Sequence, residues 1–246
     1  MEARPSAAPP RGARYVKGDP STAELVSSIP FKSLSDSLAA ADLWEESSLL
    51  GRLMAKNRSQ HRRSMHFTRL LQVKRMLGLL DKAALPSLLS GVRERVRAEP
   101  VRDAPIQRAP SGAAAIGRAR AVEQQGAGGA GLVLLPTRGF VDESRGRLMG
   151  GVALLLDALE AVLGAGRHLS GLLAQSYFMP FAVTMFALQS RIYVLLTQMA
   201  VDAVAAYNAL SDPAVLTRLP ADPPAAAVAA GPLPRSLHCE WEGPVL

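Results

Sequence analysis

At 246 residues the chain could form one large domain or two small ones, and about 145 residues remain once three stretches rich in Pro, Gly, Ala and Arg are set aside. Leu and Ala dominate that remainder and aromatic residues make up only 5% of the chain, so the composition predicts an all-α helical bundle with long antiparallel helices. The net charge of +7 indicates an acidic partner, while the single cysteine, Cys239, excludes an intrachain disulfide and a multi-cysteine zinc site.

These features predict five segments along the chain. We expect a disordered leader over residues 1–20, an N-terminal basic helical part over 21–98 and a disordered linker over 99–145. A C-terminal helical hairpin over 146–211 should pack on the N-terminal helices, and a disordered tail rich in Pro and Ala should cover 212–246. The leader has no apolar run, which argues against a secretory signal, and a reducing compartment is expected.

Three helical regions are predicted in the N-terminal part. A short helix should end before Pro30, and a longer helical region should extend from Ser35 or Asp36, as its cap, to about Leu80 with a bend near Asp42. A third helix should cover about 83–97, because its proline falls in the first turn, where proline is tolerated.

The linker contains a glycine tract, residues 126–131, that satisfies the pattern G-x-G-x-x-G. A dinucleotide site needs a strand before such a tract and a helix after it. Here Glu and Gln residues precede it and only the five residues Leu132–Pro136 follow before another helix breaker, so a flexible linker is the favoured interpretation.

Apolar residues at helical spacing define the C-terminal hairpin. Its first helix should start near Arg147 and reach about Ala174, with the stripe Leu148, Val152, Leu155, Leu159 and Val162. A second helix should run over about 180–210.

The segment Tyr177–Val201 carries one charge, Arg191, and is long enough to cross a bilayer. A central arginine costs about 2.5–3.5 kcal/mol on insertion, so a buried core helix is preferred over a membrane span. Arg191 is then a partly buried arginine that pairs with a carboxylate such as Asp157 or Glu160, or it contacts RNA or a partner.

The charge is concentrated in one block, which we call the basic block. It holds eight Lys or Arg and no Asp or Glu: Arg52, Lys56, Arg58, Arg62, Arg63, Arg69, Lys74 and Arg75. On a continuous helix these cations would point in several directions, which favours a helix that contacts RNA phosphates, or RNA on one flank and protein on the other. A solvated helix face and a nuclear-import signal are also compatible with a basic run.

The same region carries a heptad-like seam that is apolar at both ends and polar in the middle. Its members are Leu50, Leu53, Asn57, Gln60, Ser64, Phe67 and Leu71. The amides of Asn57 and Gln60 can donate and accept hydrogen bonds to a partner, or the seam is a solvent-exposed stretch of helix.

His61 and His66 are five residues apart and should lie on different helix faces, as surface or stacking residues that cannot share a metal. The sequence has no recognisable catalytic set, so we expect a protein that is not an enzyme and needs no metal or cofactor.

Two blocks of sequence resemble a known family. The run 56–63 (KNRSQHRR), followed by 67–75 (FTRLLQVKR), resembles the N-terminal domain of the nucleolus and neural progenitor protein family, which is similar to the fungal protein subunit specific to RNase MRP. A second block, 175–181 (QSYFMPF) with 190–195 (SRIYVL) downstream, is also similar to the family. The resemblance covers about residues 21–97 and 146–210.

The resemblance implies a non-catalytic nucleolar subunit of an RNase MRP-like ribonucleoprotein that acts in pre-rRNA processing and binds structured RNA and neighbouring proteins. The family signature falls on Lys56, Asn57, Arg58, Gln60, His61 and Arg62. With the rest of the basic block, the expected RNA or partner contacts also include Arg63, Arg69, Lys74 and Arg75. Two alternatives are a protein-only nuclear scaffold that docks an acidic partner and a membrane-anchored helical protein.

Overall fold

The computed structural model describes residues 16–18, 20–96, 133–221 and 233–240, and these residues form a helical bundle, as predicted. The first half contains α1 (Pro20–Ser27), α2 (Phe31–Ala39), α3 (Ala41–His61), α4 (Met65–Ala83) and α5 (Leu85–Val96). The second half contains α6 (Arg138–Ala174), α7 (Met179–Leu210) and α8 (Pro213–Leu216). Two three-residue strands, β1 (Val16–Gly18) and β2 (Val133–Leu135), pair antiparallel.

The helical region predicted over 35–80 is divided into three helices. The first, α2, begins at Phe31 directly after Pro30, so Ser35 and Asp36 lie inside it and are not caps. The predicted bend near Asp42 is a break two residues earlier, at Ala40, which adopts a left-handed conformation with φ 42°. A second break follows α3.

The last N-terminal helix, α5, agrees with the prediction. It starts at Leu85, after Ala84 turns left-handed at φ 48°, and Pro86 is its second residue. The Pro86 carbonyl oxygen accepts a hydrogen bond from Ser35 Oγ at 3.2 Å, which joins α5 to α2.

The predicted linker is too long at its C-terminal end. β2 and the first turns of α6 lie within 133–145, so α6 begins at Arg138 rather than near Arg147. Val141, Ser144 and Arg145 are buried at helical spacing and extend the buried face of α6 toward the N-terminus. The predicted leader, except for 16–18 and 20, and the part of the linker that contains the glycine tract lie outside the described residues.

The C-terminal hairpin forms as predicted. α6 ends at Ala174, α7 starts at Met179, and the two helices pack along each other across a short turn. Leu148, Leu155 and Val162 are buried in the core, whereas the other two predicted stripe residues are half-buried. α4 packs against α6, and both α2 and α3 pack against α7.

The prediction that α7 is a buried core helix is right for one face only. Ile192, Leu196 and Tyr207 are buried, but Val183 and Val194 are 52% and 65% exposed. Both long helices, α6 and α7, are long and apolar enough to cross a membrane by length and composition. In their most apolar windows, 39% and 33% of the residues are buried inside the bundle.

The predicted disordered tail is wrong for two of its parts. Asp212 caps α8, and residues 233–240 lie on the bundle. There Asn208 donates to the Leu237 carbonyl oxygen at 2.9 Å and accepts from the Leu237 backbone N–H at 2.8 Å. Residues 222–232 and 241–246 lie outside the described part of the chain.

A buried arginine, Arg145, joins the hairpin to this terminal segment. Its guanidinium donates to Asp142, Ser211, Tyr207 Oη and the Pro234 carbonyl oxygen at 2.7–3.3 Å. A buried charge is tolerated only when it is paired and hydrogen-bonded, and these partners meet both requirements.

Candidate nucleic-acid interface

All eight cations of the basic block have exposed side chains. Within the residues that the structure describes, none of the eight lies within ion-pair distance of a carboxylate. The ion pairs found there involve Arg138, Arg145 and Arg191. One block member, Arg69, donates to the neutral amide of Gln72 at 3.2 Å. The basic block therefore presents positive charge that no direct ion pair within the described residues neutralises.

The cations fall into two groups along α3 and α4. Lys56, Arg58, Arg62 and Arg63 surround the C-terminal end of α3. Lys74 belongs to the second group, further from that end of α3. Its ammonium lies beside Gly51, 3.6 Å from the position that a Cβ on this glycine would occupy. Gly51 precedes the end of α3 by ten residues, or about 15 Å along the helix axis.

The predicted seam is wrong because no continuous helix joins its two halves. The chain turns at residues 62–64, between α3 and α4, so the register of α3 does not continue. The buried face of α4 is Phe67, Leu70, Val73, Leu77 and Leu80, while Leu71, a predicted seam residue, is 49% exposed. Of the two seam amides, Asn57 donates to the carbonyl oxygen of Leu53 in its own helix at 2.8 Å, and Gln60 is exposed.

The turn also overturns the prediction for the two histidines. His61 ends α3 and His66 begins α4, and they are 2% and 8% exposed rather than surface residues on different faces. His66 Nε2 lies 3.2 Å from His61 Nδ1 and 2.9 Å from Ser64 Oγ. Spacing along a helix therefore does not separate these rings, although no group of three or more His, Cys, Asp or Glu with metal-binding geometry occurs among the described residues.

The hydrogen-bond network fixes the protons on these rings. Ser64 Oγ donates its only hydrogen to the His61 carbonyl oxygen at 2.6 Å, so His66 Nε2 must be the donor toward Ser64. His61 Nδ1 faces the same donor, His66 Nε2, and must therefore be unprotonated. Neutral His61 then carries its hydrogen on Nε2, which is buried and has no partner within the described structure.

Both histidines favour the neutral form. Burial lowers the pKa of His61 below its ordinary value of 6.5. Burial also lowers the pKa of His66, and the charges of His61 and His168 lower it further. Because both pKa values lie below 6.5, the two rings are neutral at pH 7.

Two aromatic residues from the start of α7 cover His61. The Phe181 ring stacks on the imidazole with 4.1 Å between ring centroids, and the Phe178 ring meets it edge-on at 4.7 Å. The stacking role expected of His61 is thus present, with partners about 120 residues away in sequence. These contacts join the two sequence blocks that carry the family resemblance.

A cleft of about 320 Å³ lies between α3 and α7 beside these rings, and we call it the α3–α7 cleft. It is lined by Leu53, Lys56, Asn57, Gln60, His61, Phe178, Pro180, Phe181, Thr184 and Met185. Four of the predicted contact residues, from Lys56 to His61, line it. Arg69 lies instead beside a second cleft, between α4 and α6.

The rim of the α3–α7 cleft is a strained turn that the sequence did not reveal. Ser176 and Phe178 have φ angles of 57° and 49°, a left-handed region that residues other than glycine rarely adopt. Tyr177 and Phe178 are 59% and 57% exposed. Strained backbone and exposed aromatic rings concentrate at binding sites, and the block QSYFMPF carried this signal only through the resemblance.

Arg191 forms an ion pair that differs from the predicted one. Its Nε lies 2.8 Å from Glu46 Oε1 on α3, and its side chain is 68% exposed, so it is neither buried nor paired with Asp157 or Glu160. Those two carboxylates lie instead in the cleft between α4 and α6.

Comparison with known proteins found no family model, no curated protein and no solved structure with a significant match to this chain.

Proposed function

We propose that the chain is a non-catalytic subunit of a nucleolar ribonucleoprotein similar to RNase MRP, which binds structured RNA and neighbouring proteins in pre-rRNA processing. The observation that carries the proposal is the basic block, whose eight exposed cations make no ion pair within the described residues. Surface cations interspersed with acids neutralise one another, whereas an unneutralised block attracts a polyanion.

The arrangement of the cations supports RNA as that polyanion. They occupy two helices and the turn between them, and so can reach phosphates on more than one side. Helical RNA is recognised mainly through its shape and backbone, so broad rather than base-specific recognition follows.

The α3–α7 cleft adds support for the particle named in the proposal. The two blocks that resemble the nucleolar family lie far apart in sequence, yet His61 from one packs on Phe178 and Phe181 from the other. A signature divided between two blocks is expected when both build one surface. Exposed Tyr177 and Phe178 at its edge give a neighbouring protein an apolar contact.

Neutralising three cations tests the proposal. The substitutions Arg58→Gln, Arg62→Gln and Arg63→Gln should weaken binding to a structured RNA at least tenfold at 100 mM salt, measured by fluorescence anisotropy. The matched control carries Arg93→Gln, Arg147→Gln and Arg218→Gln, three exposed arginines outside the basic block. Both variants lose three charges, so only the position of the charge differs. Equal affinity of the two variants would remove the basic block from the interface.

A protein-only scaffold that docks an acidic partner predicts a different outcome. Charge reversal at Arg58, Arg62 and Arg63 would then abolish partner capture and leave crosslinking to RNA unchanged. Under the RNA proposal, the crosslinking signal falls in the same variant.

The identity of the RNA requires purification from cells. Affinity capture of the full chain, followed by sequencing of the RNA that co-purifies, should recover one abundant structured RNA together with ribonuclease-particle proteins. Recovery of ribosomal proteins with no such RNA would contradict the particle named here.

A further inference from the structure

His61, which lines the α3–α7 cleft, has a hydrogen-bond donor that no group among the described residues uses. His61 Nε2 carries a hydrogen, as the Ser64–His66 network requires, and it is buried with no acceptor. A buried donor without an acceptor destabilises the fold, because it has lost its hydrogen bond to water. A ligand that brings an acceptor to His61 would remove this destabilisation.

The residues around this donor select the chemistry of the ligand. One wall holds the Phe178 ring, which is 57% exposed and offers a flat apolar surface. The opposite wall holds Lys56, Asn57 and Gln60, and no carboxylate lines the cleft. These walls fit a ligand that is flat, has polar atoms at its edge and carries a negative charge nearby. A nucleotide has these properties, since its base stacks on aromatic rings and its phosphate binds a cation.

The size and position of the cleft fit one base. Its volume of about 320 Å³ is at the small end of ligand pockets, which span about 300–1,000 Å³. Its lining residues Asn57, Gln60 and His61 are direct sequence neighbours of Arg58 and Arg62, where the proposed function places the RNA backbone. A base in a double helix is not available to such a cleft, so the nucleotide must be unpaired.

His61 Nε2 is closed to solvent, so the base must displace a side chain to reach it. Of the two phenylalanines on the imidazole, Phe181 is half-buried, while Phe178 is exposed and sits at a left-handed residue of the 175–178 turn. Phe178 is therefore the ring that can move away from His61 and stack on the base.

We propose that the α3–α7 cleft binds one unpaired base of the RNA, with the base against Phe178, a base carbonyl oxygen accepting the His61 Nε2 hydrogen, and an adjacent phosphate at Lys56. This inference rests on the proposed function, because it assumes that the basic block holds RNA beside the cleft. It adds a preference for unpaired nucleotides to RNA binding that otherwise depends on the shape of the RNA and the charge of its backbone.

Three RNA hairpins that differ at one position test the proposal with the full chain. One is fully paired, one has a single-uridine bulge, and one has an abasic residue in the bulge. The wild-type chain should bind the uridine bulge about tenfold more tightly than the other two, since stacking one base on an aromatic side chain contributes about 1–3 kcal/mol.

Substitutions in the cleft should remove this preference. Phe178→Asn removes the ring and keeps a residue that tolerates the left-handed conformation, while the control Phe186→Ala removes an exposed ring of α7 that does not line the cleft. His61→Phe keeps the stack on Phe181 and removes the donor. Gln60→Ala, at an exposed helical position, gives a variant whose folding is not at risk. We expect loss of the preference in Phe178→Asn and His61→Phe, a partial loss in Gln60→Ala, and no change in Phe186→Ala.

The outcomes separate this inference from the proposed function. Binding of all three hairpins with equal affinity by the wild-type chain overturns the base pocket and leaves the RNA-binding function standing. The base pocket is also overturned if Phe178→Asn retains the preference for the uridine bulge. It is overturned as well if Phe178→Asn keeps that preference and instead fails to bind a protein partner. Failure to bind any of the hairpins contradicts the proposed function itself.

Discussion

The His61–His66 pair is held together without a charge. One hydrogen, on His66 Nε2, serves both Ser64 Oγ and His61 Nδ1. Protonation of His61 would place two hydrogens face to face, and protonation of His66 would place a positive charge in a buried site. Burial lowers the pKa of both rings, and the charges of His61 and His168 lower the pKa of His66 further.

Stability should therefore fall as the pH drops below about 6.5. In the unfolded chain each imidazole takes up a proton near pH 6.5, whereas in the folded chain it does so only at lower pH. The unfolded state binds more protons between these values, so the free energy of unfolding decreases with falling pH, by at most about 1.4 kcal/mol per pH unit for each histidine. Thermal melting between pH 7.5 and 5.5 measures the effect.

Two variants assign the pH effect. His61→Phe should reduce it by about half, because one of the two titrating rings is gone while the stack on Phe181 remains. His238→Gln, at an exposed histidine, should leave it unchanged. A melting temperature of the wild-type chain that does not change across this range would show that the pair is not buried as described.

Contacts formed only in the folded structure explain why three residues were misjudged from the sequence. The five-residue spacing of His61 and His66 places them on different faces only if the helix is continuous. Residues 62–64 contain no Gly or Pro that would indicate a turn. The start of α6 was predicted to be part of the linker because the partners of Arg145, Tyr207 and Pro234, are more than 60 residues away in sequence. Local patterns contain no information about such contacts.

Helices were predictable where apolar residues repeat over several turns. The stripe from Leu148 to Val162 located α6, and Pro180 located the start of α7 because proline is tolerated in a first helical turn. The breaks at Ala40 and Ala84 were harder, since alanine favours helix and its left-handed conformation is imposed by packing. The site was predicted in part: Lys56, Asn57, Gln60 and His61 were identified, but their aromatic partners were not assigned to it.

Two adjacent glycines in α6 should respond oppositely to substitution by alanine. A Cβ on Gly151 would meet the Leu85 side chain of α5, 3.0 Å from Cδ1 and 3.3 Å from Cγ, with Cδ2 closer still. Overpacking costs about 1–3 kcal/mol and exceeds the gain in helix propensity of about 1 kcal/mol. Gly151→Ala should therefore lower the free energy of unfolding in urea.

Gly150 provides the matched control. It is exposed, and a Cβ there would have no neighbour within 4 Å, so Gly150→Ala should stabilise the chain by about 0.5–1 kcal/mol. Equal stability of the two variants would show that α5 and α6 are not in close contact at Leu85.

The terminal segment 233–240 should depend on Asn208. This amide bonds both the N–H and the carbonyl oxygen of Leu237, so Asn208→Ala removes two hydrogen bonds that contribute about 1 kcal/mol each. Trypsin should then cleave faster at exposed Arg235. Gln198→Ala, which removes an exposed amide of α7 bonded only to Asp202, should leave the cleavage rate unchanged. Equal rates in all three proteins would mean that Asn208 does not hold the segment.

At the scale of the whole molecule, the two long apolar helices raise the question of a membrane. α7 carries Arg191 in an ion pair with Glu46 near its middle, and α6 exposes Asp157 and Glu160. Charged groups at such depth are costly in a bilayer. We expect the chain to enter the supernatant after alkaline carbonate washing of cell membranes, and retention in the pellet would support the membrane-anchored alternative.

The distribution of charge makes salt dependence the sharpest whole-molecule measurement. Outside residues 51–100 the formal charges nearly cancel, so phosphate contacts must come mainly from the basic block. If six of its cations contact phosphates, the logarithm of the binding constant should fall with the logarithm of salt concentration with a slope of about −4 for single-stranded RNA.

Substitution of Arg58, Arg62 and Arg63 by Gln should make that slope shallower by about 2, because each phosphate contact contributes about −0.7. The variant with Arg93, Arg147 and Arg218 replaced by Gln has the same net charge and should keep the wild-type slope. A slope that changes equally in both variants would mean that RNA responds to net charge alone. A slope that changes only in the first would locate the phosphates at the end of α3, beside the α3–α7 cleft.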